Sequence, residues 1–325
     1  MRRRRSNVRS LLVAGFLLLA VAGRTVAQSS TGEGAPELLL PTGARSSGMG
    51  QAAVASAIGS DGVWWNPALI AHSGREFGFH ATKNPILEAD ASGAILIPVQ
   101  RVGTFALGLR YFNEATIPAT DSSGQTQTGT IAITATILAA TFASPITNRL
   151  ALGVTYKLFR RSLNCTGICN LSGTSQTFAV DIGAQYLVSR DSSVTLGVAL
   201  TNAGPKLQVN DAAQADPLPV RANMGVALAP RLSQLPKEAR LRLAADLITR
   251  VSAPYTPELR VGGELAWIER YQARAGYVVN GPFGSGPTFG LGLSTGKLQI
   301  DLARVLSNAV SSADSPSYLS LRYLF

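Results

Sequence analysis

The chain is poor in the residues that carry out chemistry. Its 325 residues include two histidines, two cysteines and three methionines, and only 15% of its side chains are charged. It has no G-x-S-x-G nucleophile turn, no G-x-G-x-x-G or P-loop string and no H-E-x-x-H. No catalytic centre is expected, so the chain reads as a non-enzyme that needs no cofactor. Cys165 and Cys169 share the string NCTGIC, far in sequence from His72 and His80. A zinc site takes four protein donors, or three plus water, so no metal site is expected. A small loop-closing disulfide between Cys165 and Cys169 is the expectation for an oxidising compartment.

Long apolar runs are also missing. Beyond residue 27 no stretch approaches eighteen uninterrupted apolar residues, although 46% of the chain is hydrophobic. Transmembrane helices are thereby excluded, and the hydrophobicity must be spread by alternation. The basic balance is largely confined to the start. Arg2 to Arg5 and Arg9 precede twelve apolar residues, Leu11 to Ala22, and Thr25-Val26-Ala27 follows as a small-x-small site. This is the pattern of a cleaved export signal over residues 1–27, with a mature start near Gln28. Removing its six arginines lowers the formal charge from +10 to +4, distributed along the remaining chain, so a nucleic-acid partner is not indicated.

What the chain has in abundance is glycine, 32 residues, and alternation. In the last ten residues, PSYLSLRYLF, Leu319, Leu321, Tyr323 and Phe325 share one strand face, with Ser320 and Arg322 on the other. Fourteen such runs follow one another from Phe77–Lys83 to Ser317–Phe325. They include Gly129–Phe142, Arg149–Arg160 and Thr177–Ser189. Several have the ~9–11 residues of a tilted membrane strand. Tight connections (Glu269-Arg270, Gly296-Lys297) alternate with long ones (113–128, 161–176, 202–219), except that 229–239 is long and 250–257 only moderate. The fold class predicted is all-β: a transmembrane antiparallel β-barrel of about 14 strands over residues 76–325. The competing soluble propeller would need a repeat of ~40–50 residues, and none is found.

One face of these runs is nearly free of charge, as a lipid-facing wall requires. The other carries Arg110, Lys157, Asp181, Arg242, Asp246, Arg260, Glu264, Arg274, Asp301 and Arg322. These are predicted to line the lumen, either as a ladder that stabilises the barrel and holds the N-terminal segment, or as a substrate gate. Gln28 to Glu37 reads as a Ser/Gly-rich flexible leader, and Leu38 to Ala71 lacks a strand period and is dense in Gly, Ala and Ser, which suits either a plug packed inside the barrel or an ordinary N-terminal loop. Asp61-Gly62 reads as a turn, and Asn66 before Pro67 as an N-cap with proline at the first helical position.

Gly43-Ala44-Arg45, Gly48-Met49-Gly50-Gln51-Ala52 and Trp65-Asn66-Pro67-Ala68 resemble the start of the PorV/PorQ family, within the FadL-like group of outer-membrane barrels. Arg274 to Tyr277, Pro287 to Leu293 and Ile300-Asp301 resemble its late strands; Leu69 departs from the glycine usual after Asn-Pro-Ala. The resemblance implies an N-terminal hatch segment over residues 28–75 and a place in the outer membrane of a Gram-negative-type bacterium. It also implies association with type IX secretion, with secretion-system subunits and cargo bearing C-terminal sorting domains as partners. The wider group implies an alternative, transport of hydrophobic small molecules through a hatch-gated barrel; a structural scaffold is a third reading. An alternating strand ending on an aromatic also resembles the signal read by the barrel-assembly machinery, here Tyr323 and Phe325, and membrane lipids complete the expected partners.

Overall fold

Alternation of β-branched or aromatic residues with small or polar ones gives each run one apolar and one polar face. A sheet built from such runs must hide its edges, and closure does this. The computed structural model describes residues 32–84, 87–114, 116–120, 126–167, 172–189, 191, 193–208, 215–252, 256–308 and 315–325. The predicted signal 1–27 lies outside the described residues, as does Cys169. Residues Glu33–Phe325 form one compact unit.

The strands are β1 (Glu76–Lys83), β2 (Leu87–Val99), β3 (Gly103–Glu114), β4 (Ile117–Thr120), β5 (Thr126–Pro145), β6 (Leu150–Gly167), β7 (Gly173–Leu187) and β8 (Val194–Ala203). They continue as β9 (Arg221–Leu228), β10 (Ala239–Arg250), β11 (Glu258–Trp267), β12 (Tyr271–Gly281), β13 (Gly284–Ser294), β14 (Leu298–Val305) and β15 (Ser317–Leu324). Each pairs antiparallel with its neighbours, β3 pairs β5, and β15 pairs β1, with Phe77 opposite Tyr323. The result is a closed barrel of 14 strands. The short β4 hangs on β5 outside the ring.

The outer wall is apolar: Phe77, Phe79, Leu107, Leu109, Leu138 and Tyr156 are among the exposed large side chains. One rim carries the tight connections, such as 100–102, 268–270 and 295–297, together with Arg75 and Phe325, whose N–H donates to the Arg75 carbonyl at 3.2 Å. The other carries most of the long connections; 229–238 at the first rim is long, and 282–283 at the second is tight. In outer-membrane barrels short turns are periplasmic and long loops extracellular.

The structure differs from the sequence reading most at the long-loop rim. The loop expected over 161–176 is largely strand, because β6 runs on to Gly167 and β7 starts at Gly173. The loop expected over 113–128 likewise contains β4 and the start of β5. At 20, 18 and 15 residues, β5, β6 and β7 outreach the 8 of β1 and the 10 of β8. The physical reason is a reversal of polarity. The outward residues of β6 are apolar through Leu158 and then become Arg160, Ser162, Asn164 and Thr166; the inward ones become Leu163 and Cys165, opposite Ile133 and Ile131. Above the lipid the apolar face turns toward the barrel axis, so a search for a continuous apolar outer face ends the strand too early.

Candidate functional site

The lumen is filled by residues 33–75, and the fit explains the small residues there. Gly34 donates its N–H to the Pro217 carbonyl at 2.9 Å in the β8–β9 connection, at the long-loop rim. The chain then runs through a 3₁₀ turn (Pro36–Leu39) and short helices at Ala44–Gly48 and Gly62–Trp65. A 3₁₀ turn at Gly59–Asp61 leads into the second of these helices, and a longer one, Pro67–His72, precedes β1 at the opposite rim. Asp61-Gly62, predicted as a turn, is a junction between a 3₁₀ turn and a helix. The reason is that the Asp61 carboxylate is engaged: it accepts from the Ser46 hydroxyl at 2.7 Å and lies 3.6 Å from His80.

The seat for this segment is a belt of glycine and alanine on the inner wall. Directly paired inward residues read Gly78, Ala94, Gly108 and Ala139 across β1, β2, β3 and β5. Gly153 pairs Gly183, Gly197 pairs Gly225, and Ala244, Gly262 and Gly276 form another row. A Cβ on Gly262 would overlap the Met49 carbonyl, one on Gly276 the Gly50 nitrogen, and one on Gly197 the Val54 carbonyl. On the hatch side Gly50, at φ 64°, needs its own missing side chain, since a Cβ would meet the Val261 carbonyl. Backbone therefore lies against wall with no side chain between. The Thr288 hydroxyl bridges the two, accepting from Gly50 N–H at 2.8 Å and donating to the Gly48 carbonyl at 3.0 Å.

Buried charge fixes the orientation. Arg45 donates to both Glu264 oxygens, at 3.0 and 3.3 Å, with 2% of its surface exposed. Glu264 also receives Arg274 at 2.7 Å and Arg242 at 2.7 Å, and Arg274 reaches on to Asp301 at 2.7 Å. Arg322 lies 3.8 Å from Asp301 and donates to the Ile58 carbonyl at 3.4 Å. Asp246 accepts the Val54 N–H at 2.8 Å. Arg260 pairs with Glu258, reaches the Gln51 carbonyl and lies over the Trp65 ring. Nearer the long-loop rim Arg110 pairs with Asp90 at 2.7 Å and donates to the Leu40 carbonyl at 2.7 Å. Lys157 pairs with Asp181 at 2.6 Å. The ten expected lumen charges thus all face inward. Nine are buried, and Arg242 is half exposed.

The hatch residues picked out by sequence come together as well. Asn66 accepts from Ala68 N–H at 3.1 Å, capping the turn that Pro67 begins, and its amide donates to the carbonyls of Val54 and Ala184 at 2.8 and 3.2 Å. The turn is 3₁₀ rather than α. Gly43, at φ 87°, gives the Ala44–Gly48 helix its start beside Asp61. Tyr323 and Phe325 stack on the outer wall, away from the lumen. Cys165 is not a free thiol.

Sequence reasoning missed three things: the glycine belt, whose signal is glycine at the inward phase of successive strands; the partners Asp90, Glu37 and Glu33; and the aliphatic upper lumen. There Ala35, Phe112, Ile137, Phe159, Leu207 and Leu218 pack with Leu38 and Leu40 of the hatch. Glu37 pairs with Arg161 at 2.5 Å and Glu33 with Arg221 at 2.8 Å. A cavity of about 70 Å³ remains beneath Leu38–Thr42, bounded by Trp64, Ile137, Lys157 and Asn202.

Comparison with known proteins agrees with this architecture. A family model described as type IX secretion system protein PorV matches residues 24–241. No curated protein matches the chain in sequence. Among solved structures, the CymD monoaromatic hydrocarbon channel superposes with a TM-score of 0.59 at 14% identity, covering 88% of this chain and 98% of that one. The Pseudomonas putida toluene transporter TodX gives 0.58 at 12%, covering 88% and 99%. A Pseudomonas aeruginosa FadL homologue gives 0.57 at 13%, again covering 88% and 99%. At these identities the likeness is one of fold.

Proposed function

We propose that this chain, which belongs to the PorV family of type IX secretion system proteins, works at the outer membrane in the delivery or attachment of secreted cargo bearing a C-terminal sorting domain, without catalysing a reaction. The family match carries this reading, because it spans the hatch and β1 to β9 rather than an isolated motif. The filled lumen is consistent with it. Where backbone lies on glycine and charges are paired, the surface left for a protein partner is the long-loop rim with its overhanging β5–β6–β7 sheet. The test is native mass spectrometry of protein gently extracted from its own membrane. A co-purifying secretion subunit or sorting-domain protein is expected, and its loss on shortening β5 and β6 to barrel length would place the contact on the overhang.

A second reading, passage of hydrophobic small molecules, draws on the fold shared with CymD and TodX. The cavity of about 70 Å³ is roughly half the ~150 Å³ of an engineered apolar cavity that holds benzene. Passage therefore requires the hatch to move. A retained hydrophobe in the same mass spectra, without a protein partner, would favour this reading; neither would favour a scaffold. Two further assignments have direct tests. N-terminal sequencing of the membrane protein should start at Gln28 if residues 1–27 are an export signal. Deleting Phe325 should lower membrane assembly if the stacked aromatic end is read by the assembly machinery.

A further inference from the structure

The short-turn rim is ringed by cations. At the short-turn rim the chain enters β1 or reverses at seven places. Six present a described cation: Arg75 before β1, then Arg101, Arg149, Arg231, Arg270 and Lys297 in successive connections. The seventh, between β7 and β8, contains Arg190, which lies outside the described residues. Arg149 is half-buried and the other five are exposed. Lys237 and Arg240 add two more cations, against the acids Asp191, Glu238 and Glu269. At the long-loop rim the described connections hold Lys206 and Asp216, and the strand ends beside them add the exposed cations Lys83, Arg160 and Arg304.

Exposed apolar side chains alternate with these cations: Val102 beside Arg101, Ile146 in the turn of Arg149, Leu232 beside Arg231 and Ile268 near Arg270. All lie where the apolar outer wall ends. We propose that the short-turn rim binds the anionic headgroups of the phospholipids in the leaflet surrounding it. The circumference carries the argument. A polypeptide partner touches one sector and would gather the cations there, whereas one cation per hairpin around a closed ring matches a ligand that is itself a ring. An apolar side chain next to four of the six cations fits the boundary between acyl chains and headgroups, where long basic side chains reach phosphate while their stems stay on apolar surface.

The test uses the full chain reconstituted in vesicles of equal parts phosphatidylglycerol and phosphatidylethanolamine, then released into mild detergent for native mass spectrometry of retained lipid. Phosphatidylglycerol should be enriched severalfold over phosphatidylethanolamine. The variant Arg101→Gln/Arg149→Gln/Arg270→Gln/Lys297→Gln should lose most of that enrichment, its lipid ratio falling toward one. Lys83→Gln/Lys206→Gln, at the other rim, should keep it. Equal retention of the two lipids by the wild type would overturn the proposal. So would unchanged enrichment in the quadruple variant, or retention of an acidic protein by the rim in place of lipid. If the quadruple variant fails to assemble, a salt titration of the wild type decides, because headgroup binding through exposed cations is screened by salt and a salt-insensitive enrichment would reject it.

Discussion

The lumen is built in two ways along its axis. In the layer of the Gly/Ala belt, hatch backbone touches wall backbone and the specific contacts are charged and buried, with Arg45, Arg274, Glu264 and Asp301 nearly inaccessible to water. Toward the long-loop rim the same hatch packs by apolar side chains, Leu38 and Leu40 against Phe112, Phe159 and Ile137, and Leu38, Leu40 and Ile137 also border a cavity. Its ion pair there, Arg161 with Glu37, has the arginine partly in water. The difference is one of tolerance. A backbone-on-backbone seat has no soft element to give way, whereas aliphatic packing beside a cavity can adjust. The belt is the part that closes the lumen; the upper layer is the part that can accommodate change.

The comparison breaks most readily at the belt. Gly262→Leu places a branched side chain where the Met49 backbone lies. Overpacking of this kind costs about 1–3 kcal/mol where neighbours can shift and more where they are backbone. The hatch should be displaced, read as proteolysis within residues 33–75 of a barrel that keeps its heat-modifiable gel mobility. Normal protection would show that the belt is not a tight seat. Next in size is Glu264→Gln, which leaves Arg45 and Arg274 buried without their shared counter-charge. Breaking a buried pair costs about 3–5 kcal/mol, to be read as a lowered unfolding midpoint in denaturant. Asn66→Ala removes a cap and two cross-links to Val54 and Ala184, worth about 1–2 kcal/mol on the same readout. Arg161→Gln, in the upper layer, keeps a hydrogen-bond donor beside the buried Glu37 carboxylate and loses an arginine already 23% exposed, so it should cost about 1 kcal/mol. A larger loss there than for Asn66→Ala would reverse the ranking of the two layers. Smallest of all, Arg240→Gln breaks a pair exposed at 58% and 75% and should not move the midpoint measurably.

Most of the barrel was legible because lipid imposes a rule on every strand. A charge facing the hydrocarbon is expensive, so Leu107, Leu109 and Tyr111 alternate visibly with Gly108 and Arg110. The rule stops where the lipid stops. Beyond Arg160 the outward face is Ser162, Asn164 and Thr166, and the strand continues under a pattern that reads as loop. The lumen charges were legible as a set, since they share a phase. Their partners were not: Arg45 meets Glu264 across 219 positions, and such a meeting depends on the path of the hatch. Asn66 and Pro67 were legible because an N-cap acts within a few residues. Glycine at the inward phase of Gly153, Gly183, Gly262 and Gly276 was on the page but has no meaning until something is known to lie against it.

By itself the sequence determined the periodicity of 2, the sign of each strand's two faces and hence a closed membrane barrel. These are local consequences of how side chains alternate and of what lipid tolerates. The tertiary structure decided which inward glycines are contacts, which carboxylate holds Arg45, and that the cations of separate turns form one ring. Those facts concern groups far apart in the chain, which only strand register, barrel closure and the path of the hatch bring together.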